Sequence, residues 1–142
     1  MARMTLDQAN AVIVAALAEG TTRGLKPLSV AVLDGGGHLL AFQRQDGSST
    51  LRPEIAVSKA SGALGLGVSS RKISDIAAER PSFIASLASI SIHGVTPAAG
   101  GVIVVDAEGL ALGAVGISGD TPDNDEICAF AGIAAAGLVA QA

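Results

Sequence analysis

One stretch near the end of the chain constrains the fold more than any other. Residues 100–126 read GGVIVVDAEGLALGAVGISGDTPDNDE. Val102–Val105 is a β-branched run, which favours a buried strand, and Asp106–Gly109 is a cluster typical of a turn. The next apolar run, Leu110–Ile117, contains glycines, and a glycine inside a strand often marks close approach of another backbone. The stretch therefore predicts a β-hairpin on which another element packs closely.

A polar corner and a helix are expected after this hairpin. Ser118–Asp120 turns the chain, Thr121 is a good N-cap, and Pro122 suits the first helical position. The predicted helix runs from about Pro122 to Val139, and no charged residue occurs between Ile127 and Ala140. A helix that is apolar all round is buried on more than one side. The pattern favours a homo-oligomer in which a neighbouring subunit covers one face; a central core helix in a monomer is the alternative.

The earlier part of the chain predicts a second hairpin and several helices. A capping box from Thr5 to Gln8 begins a helix that runs to about Thr22. The glycines after Asp34 predict a tight hairpin turn, because their spacing fits neither a phosphate loop nor a dinucleotide fingerprint. The remaining elements are expected at Leu28–Leu33 and His38–Gln43 (strands), from Pro53 to Gly65 or Gly67, Arg71–Ala78 and Ser82–Ser89 (helices), and Ser89–His93 (a strand).

These elements predict an α/β (α+β) fold. An antiparallel sheet of about five strands is flanked by helices, with long helices at the N- and C-terminal ends. At 142 residues, residues 1–142 are expected to form a single domain. Hydrophobic residues make up 49% of the chain, but Trp and Tyr are absent and Phe occurs three times. The core must therefore be built from Ala, Val, Leu and Ile.

Composition also excludes several classes of function. The net charge of −4 argues against general nucleic-acid binding, which needs a basic surface. The single cysteine, Cys128, excludes an internal disulfide and a multi-cysteine metal site, and its place in the last helix predicts a core residue. No apolar run reaches the roughly 18 residues of a membrane span. The N-terminus is polar rather than signal-like, so we expect a cytoplasmic protein.

Two histidines and two arginines are candidates for chemistry. His38 follows the glycine turn and is suited to bind a metal or haem iron, to act as an acid/base, or to be solvated. His93 is a possible second imidazole, although two histidines without a third ligand make a poor metal site. Arg44 suits a ligand carboxylate. Arg52 is expected at the surface or in an ion pair.

The corner after the second hairpin is a second candidate site. Ser118 and Gly119 precede a helix N-terminus, which favours anions, although capping alone needs the same residue types. Asp120 adds negative charge there and opposes direct anion binding. Asp125 is either a general base or a structural acid bonded to a backbone N–H of the corner. Gly100 and Gly101, which open the organising stretch, complete the candidate ligand-binding set of His38, Arg44, Ser118 and Gly119.

Two blocks of the sequence resemble a known family. Residues 100–126 and Ser29–Asp46 (SVAVLDGGGHLLAFQRQD) resemble the GlcG/HbpS-like haem-binding family, which includes the C-terminal domain of PduO-type proteins. The resemblance covers most of the chain, in the family's order. It implies a sheet covered by helices, a homo-oligomer, and haem or a related tetrapyrrole as ligand. In that case His38 would be the iron ligand and Arg44 would meet a propionate.

Alternatives to haem binding stay open at this point. Helix one has no histidine, where haem-binding relatives can have their ligand, and aromatic residues are few. One alternative is a cofactor-independent lyase, hydratase or isomerase acting on a small carboxylated, possibly aromatic, catabolite. There His38 would be the acid/base, Arg44 the carboxylate clamp, and Ser118–Gly119 an oxyanion donor. The other is an accessory subunit whose function is assembly.

Overall fold

The structure is a computed structural model that describes residues 3–142. It contains five α-helices and five strands in an antiparallel sheet, so the predicted fold class is confirmed. The elements are α1 Leu6–Thr22, β1 Ser29–Asp34, β2 Leu39–Arg44, α2 Arg52–Leu66, α3 Ser70–Glu79, α4 Pro81–Ser86, a 3₁₀ turn Leu87–Ser89, β3 Gly101–Val105, β4 Ala111–Ser118, α5 Pro122–Ala135 and β5 Val139–Ala140.

Local sequence signals account for the ends of the first helix. The Gln8 backbone N–H donates to the Thr5 hydroxyl over 3.1 Å, and the Thr5 N–H donates to the Gln8 side chain over 2.9 Å. This is the predicted capping box, and it satisfies two backbone donors that a helix N-terminus leaves free. The helix ends at Thr22 as predicted, and Gly24 follows with a φ of 68°.

The strand order β2-β1-β4-β3-β5 joins the two predicted hairpins through β1 and β4. Ser29 is in register with Arg44 of β2 on one side and with Ser118 of β4 on the other. The tight turn that contains His38 therefore lies at one end of the sheet. Arg44 and Ser118 lie at the other.

Helices cover both faces of the sheet. Helices α1 and α5 pack against each other and against one face, and α2 packs against the other face over β4, β1 and β3. The main core is aliphatic, as the composition predicts, and no aromatic side chain belongs to it. Its largest fully buried members are Ile13, Leu28, Ile117, Ile133, Val12, Val30, Val32, Val102 and Val104.

Glycines allow α2 to lie directly on the sheet. A Cβ on Gly116 would overlap the carbonyl oxygen of Ala56, and a Cβ on Gly101 would overlap the carbonyl oxygen of Lys59. Both carbonyls belong to α2. The close approach predicted from the glycines of the second hairpin is therefore confirmed.

Two expected elements differ from the structure. The strand expected at Ser89–His93 is wrong, because a 3₁₀ turn and an irregular loop occupy this segment. The hydroxyls of Ser89 and Ser91 donate to carbonyls three and four residues earlier, and such local bonds compete with strand pairing. The last helix ends at Ala135 rather than Val139, because Gly137 with a φ of 73° reverses the chain into β5.

We find that none of the helices within residues 3–142 combines the length and apolar character that a membrane crossing requires.

Candidate functional site

An apolar groove lies between the β1–β2 turn, α2 and the irregular loop before β3. Its volume is about 520 Å³, and both histidines of the chain line it. A neighbouring hollow of about 490 Å³ shares Leu39, Ile92 and His93 with it and extends along β2 towards the start of α2. We call the two together the histidine groove. Its lining consists of Leu33, Gly36, Gly37, His38, Leu39, Phe42, Pro53, Glu54, Val57, Ser61, Gly62, Gly65, Leu66, Leu87, Ile90, Ser91, Ile92, His93, Gly94 and Val95.

His38 is held at the mouth of the groove by the turn before it. The side chain is 81% exposed, and its Nδ1 lies 3.3 Å from Oδ1 of Asp34. The same oxygen accepts the backbone N–H groups of Gly36 and His38, each over 2.9 Å. These hydrogen bonds, that from His38 N–H first, hold the pKa of Asp34 below its usual value. Asp34 is therefore an anion that closes the turn and faces the imidazole.

His93 reaches the same groove from the irregular loop. Two neighbours on this loop, Ile90 and Ile92, are 79% and 94% exposed, so the rim of the groove is strongly apolar. The base of the loop is fixed to α2, where the Thr96 hydroxyl donates to the Ser58 hydroxyl over 2.9 Å. Neither histidine could be placed in this groove from local sequence, because they are 55 positions apart and meet only through the packing of α2.

The other candidate residues lie away from the groove. Arg44 lies six positions after His38 along β2, which corresponds to roughly 20 Å of strand. Arg44 is exposed beside a shallow hollow formed with Thr21, Gly24, Leu25, Pro27, Gln45 and Asp46. Ser118 lies in register with Ser29 at that same distant end. The structure therefore does not bring Arg44 or Ser118 together with His38.

The corner before α5 is filled by the chain's own carboxylate. Oδ1 of Asp120 accepts the Thr121 N–H and the Asn124 amide, and Oδ2 accepts the Lys26 N–H over 3.0 Å. These bonds, that from the Asn124 side chain first, lower the pKa of Asp120 to about 2. Gly119 is needed for packing, because a Cβ there would overlap the Pro27 carbonyl oxygen. A carboxylate of the chain itself therefore lies beside this helix N-terminus, where the Thr121 hydroxyl already accepts the Asn124 N–H.

Behind this corner lies a buried ion pair that the sequence analysis did not single out. Lys59 Nζ lies 3.1 Å from Asp125 Oδ2 and donates to the Ile117 carbonyl over 2.9 Å. Asp125 Oδ1 accepts the Asp120 N–H over 2.9 Å, as the structural interpretation of Asp125 expects. The two side chains are only 3% and 1% exposed. Burial lowers the pKa of Lys59 and raises that of Asp125, each against the opposing effect of its partner.

These contacts hold the carboxylate of Asp125 inside the protein, as expected for a structural acid. Both carboxylate oxygens accept hydrogen bonds and the side chain is 1% exposed, so a ligand at the surface does not reach Asp125. Gly100 and Gly101 belong to the same packing, since a Cβ on Gly100 would lie 2.9 Å from Lys59 Nζ. A signal for the pair was present in the sequence. Lys59 is the one charged residue among the alanines on the buried side of α2.

Arg52 lies at the same end of the sheet as Ser118. Its Nη1 donates to the Ser118 hydroxyl over 3.1 Å, and the hydroxyls of Ser29 and Ser48 lie 3.1 Å apart nearby. Ser29 and Ser118 are both fully buried. The start of α2 is thereby tied to β4 by a side-chain bond.

Cys128 is a core residue, as predicted. It is fully buried among α1, α5 and the sheet, and this burial, followed by the charge of Glu19, raises the pKa of its thiol to about 11. The nucleophilic thiolate is therefore scarce near neutral pH. Within residues 3–142, no group of three or more His, Cys, Asp or Glu side chains is placed to hold a metal ion.

Comparison with known proteins gives consistent matches. The family described as haem-degrading protein HbpS-like matches residues 4–134. The crystal structure of HbpS is 30% identical, with a TM-score of 0.81 over 94% of this chain and 90% of HbpS. Klebsiella pneumoniae protein ORFY is 24% identical, with a TM-score of 0.84 over 98% of this chain and 94% of its own.

A third solved structure shows the same fold at lower identity. The PduOC complex with haem is 20% identical, with a TM-score of 0.87 over 99% of this chain and 100% of its own. A search of curated proteins finds no significant match. Because the family match spans nearly all the described residues, the chain belongs to the HbpS-like family of haem-degrading proteins.

Proposed function

We propose that this protein binds haem or a related tetrapyrrole in the histidine groove, with His38 as the iron ligand. The observation that carries the proposal is that both histidines line one apolar groove. The family is described by haem degradation, and the PduOC structure of the same fold contains haem. Imidazole is a common axial ligand of haem iron, which makes a histidine of this groove the natural anchor.

The residues of the groove suit such a ligand. The hollow that both histidines line has a volume of about 520 Å³, within the usual range for small-molecule pockets, and most of its lining residues are aliphatic or glycine. Ser61 and Ser91 supply hydroxyls, whereas no Lys or Arg among residues 3–142 lines the groove. We therefore expect the ligand's carboxylates to point towards solvent rather than to Arg44. Bound haem would supply a redox-active iron, and the protein would supply the ligand and an apolar shield.

The alternative of a lyase, hydratase or isomerase has less support. It requires His38, Arg44 and Ser118 around one substrate, and these residues lie at opposite ends of the sheet. Asp125, the other candidate base, has both carboxylate oxygens engaged. The apolar groove alone favours binding of a flat apolar ligand over clamping of a small carboxylate.

Haemin titration tests the proposal. We expect wild-type protein to bind haemin stoichiometrically with a shifted Soret band, and His38→Ala to weaken binding about tenfold or more. Arg44→Ala, which changes a residue outside the groove, is the matched control and should bind like wild type. Lack of specific binding by wild type would overturn the proposal and leave the enzyme or accessory-subunit alternatives.

We also propose that the protein self-associates in the cytoplasm as a homo-oligomer of one-domain subunits. Support comes from α5, whose outer side shows Ile127 and Phe130 at 36% and 42% exposure. These residues follow the uncharged pattern from Ile127 to Ala140. A second copy of the chain is the partner we favour, because symmetric homo-oligomers are the commonest assemblies.

A further inference from the structure

Asp34 faces the ring of His38 as well as closing the turn. Oδ1 of Asp34 accepts two backbone N–H groups and lies 3.3 Å from Nδ1 of the imidazole. A neutral imidazole carries its proton on one ring nitrogen and a lone pair on the other. The negative carboxylate 3.3 Å away disfavours a lone pair on Nδ1 and stabilises an N–H there, so the contact favours the proton on Nδ1. Nε2 is then the nitrogen with a free lone pair.

This distribution of the proton is the one an iron ligand needs. Histidines that bind metals usually donate their second ring N–H to a carboxylate or carbonyl, which fixes the tautomer and increases the basicity of the ligating nitrogen. The structure already contains such a carboxylate beside the histidine that we propose as ligand. Among residues 3–142 the structure shows no comparable carboxylate contact for His93.

Gly36 provides the space for this contact. A Cβ on Gly36 would lie 3.0 Å from both Nδ1 and Cε1 of His38, and 3.4 Å from Oδ1 of Asp34. The first two distances are tighter than ordinary van der Waals contact, so a side chain here would push the exposed ring away by a few tenths of an ångström. The middle glycine of the turn therefore allows the imidazole to stay beside the carboxylate.

We propose that Asp34 is a positioning residue that holds His38 in the Nδ1–H tautomer and presents Nε2 as the nitrogen that binds iron. The assignment of Nε2 to iron rests on the proposed function, whereas the tautomer itself does not. Asp34 would touch neither the ligand nor the iron, and it would act only through the His38 ring.

Nitrogen NMR of the ligand-free protein tests the tautomer at about pH 8, where an ordinary imidazole is neutral. We expect His38 to show the Nδ1–H form in wild type and to move towards the Nε2–H form in Asp34→Asn. The asparagine oxygen keeps the two backbone hydrogen bonds of the turn but lacks the charge. Gly36→Ala keeps the charge and shifts the ring slightly, so it should cause a smaller change in the same direction. His93 should be unaffected in both variants.

An Nε2–H form of His38 in wild type, or identical spectra in all three proteins, would overturn the inference whether or not haem binds. The haem-loaded protein gives the second measurement. Asp34→Asn should bind haemin about 10- to 100-fold more weakly and have a higher iron midpoint potential, because a less basic imidazole stabilises the ferric state less. An unchanged potential together with unchanged affinity would overturn the role of Asp34. Failure of wild type to bind haemin would instead reject the proposed function alone.

Discussion

At the scale of single residues, side chains of the protein itself lie at positions where sequence patterns predict a bound ligand. The corner at Ser118–Thr121 has the residue types of an anion site, and Asp120 occupies it. The carboxylate of Asp120 places a covalently attached anion beside the helix N-terminus.

The pH dependence of stability should reveal this role of Asp120. Its pKa is lowered to about 2 in the folded protein, against an ordinary value of about 3.9 when unfolded. A depressed carboxylate pKa contributes stability that is complete above the unfolded pKa and is lost as pH falls through the folded pKa. We therefore expect the free energy of unfolding to fall between about pH 4 and pH 2.

Asp120→Asn should be less stable than wild type at neutral pH. Its free energy of unfolding should also change less than that of wild type between about pH 4 and pH 2. Denaturant unfolding at a series of pH values measures both effects. Glu108→Gln, a change at an exposed acid in the β3–β4 turn, is the control and should keep the wild-type slope. A wild-type slope in Asp120→Asn would contradict the assignment.

At the scale of elements, helix α2 is attached to the sheet by close backbone packing and by charge. Gly116 and Gly101 let the α2 backbone touch β4 and β3, and this approach buries Lys59 beside Asp125 of α5. The ion pair therefore joins α2 to the opposite helical layer through the end of the sheet. Removing one buried partner costs more than removing both, because the remaining charge is left without compensation.

Lys59→Met should destabilise the protein by about 3–5 kcal/mol, the usual range for a buried pair broken on one side. In the double variant Lys59→Met/Asp125→Asn most of that loss should be recovered, because no unpaired charge remains and the asparagine oxygen still accepts the Asp120 N–H. Urea unfolding of the wild type, Lys59→Met, Asp125→Asn and the double variant gives the coupling energy between the two residues. If the loss of stability in the double variant equalled the sum of the losses in the two single variants, the pair would not couple these elements.

At the scale of the whole molecule, apolar surface remains on the outer side of α5. Ile127 and Phe130 are partly exposed on a helix that has no charge after Glu126. The sequence predicts that a neighbouring subunit covers such a face.

Phe130→Glu should shift the protein from oligomer towards monomer, because a charge would be buried at the subunit contact. Analytical ultracentrifugation over a range of concentrations measures this shift. Val14→Glu, at a residue 63% exposed on α1, tests whether any charge on an exposed apolar residue has the same effect. A monomeric wild type would reject the proposed assembly.

The type and order of most elements can be predicted from the sequence, because caps, turn glycines and apolar periodicity act over a few residues. The sequence also predicts the aliphatic core and the close approach of a backbone to the second hairpin. A glycine in a strand has no side chain, so another backbone can fill the space beside it. Prediction from the sequence failed at Ser89–His93, where serine hydroxyls bond to nearby carbonyls and override an alternating pattern.

Which of the candidate residues lie at the same site depends on how the elements pack together. Strand order places His38 at one end of the sheet and Arg44 with Ser118 at the other, and no local pattern encodes that order. The packing of α2 places His38 and His93, 55 positions apart, on one groove and brings Lys59 to Asp125 across 66 positions of sequence. Contacts of this kind depend on how layers stack, which is a property of the whole chain rather than of any segment.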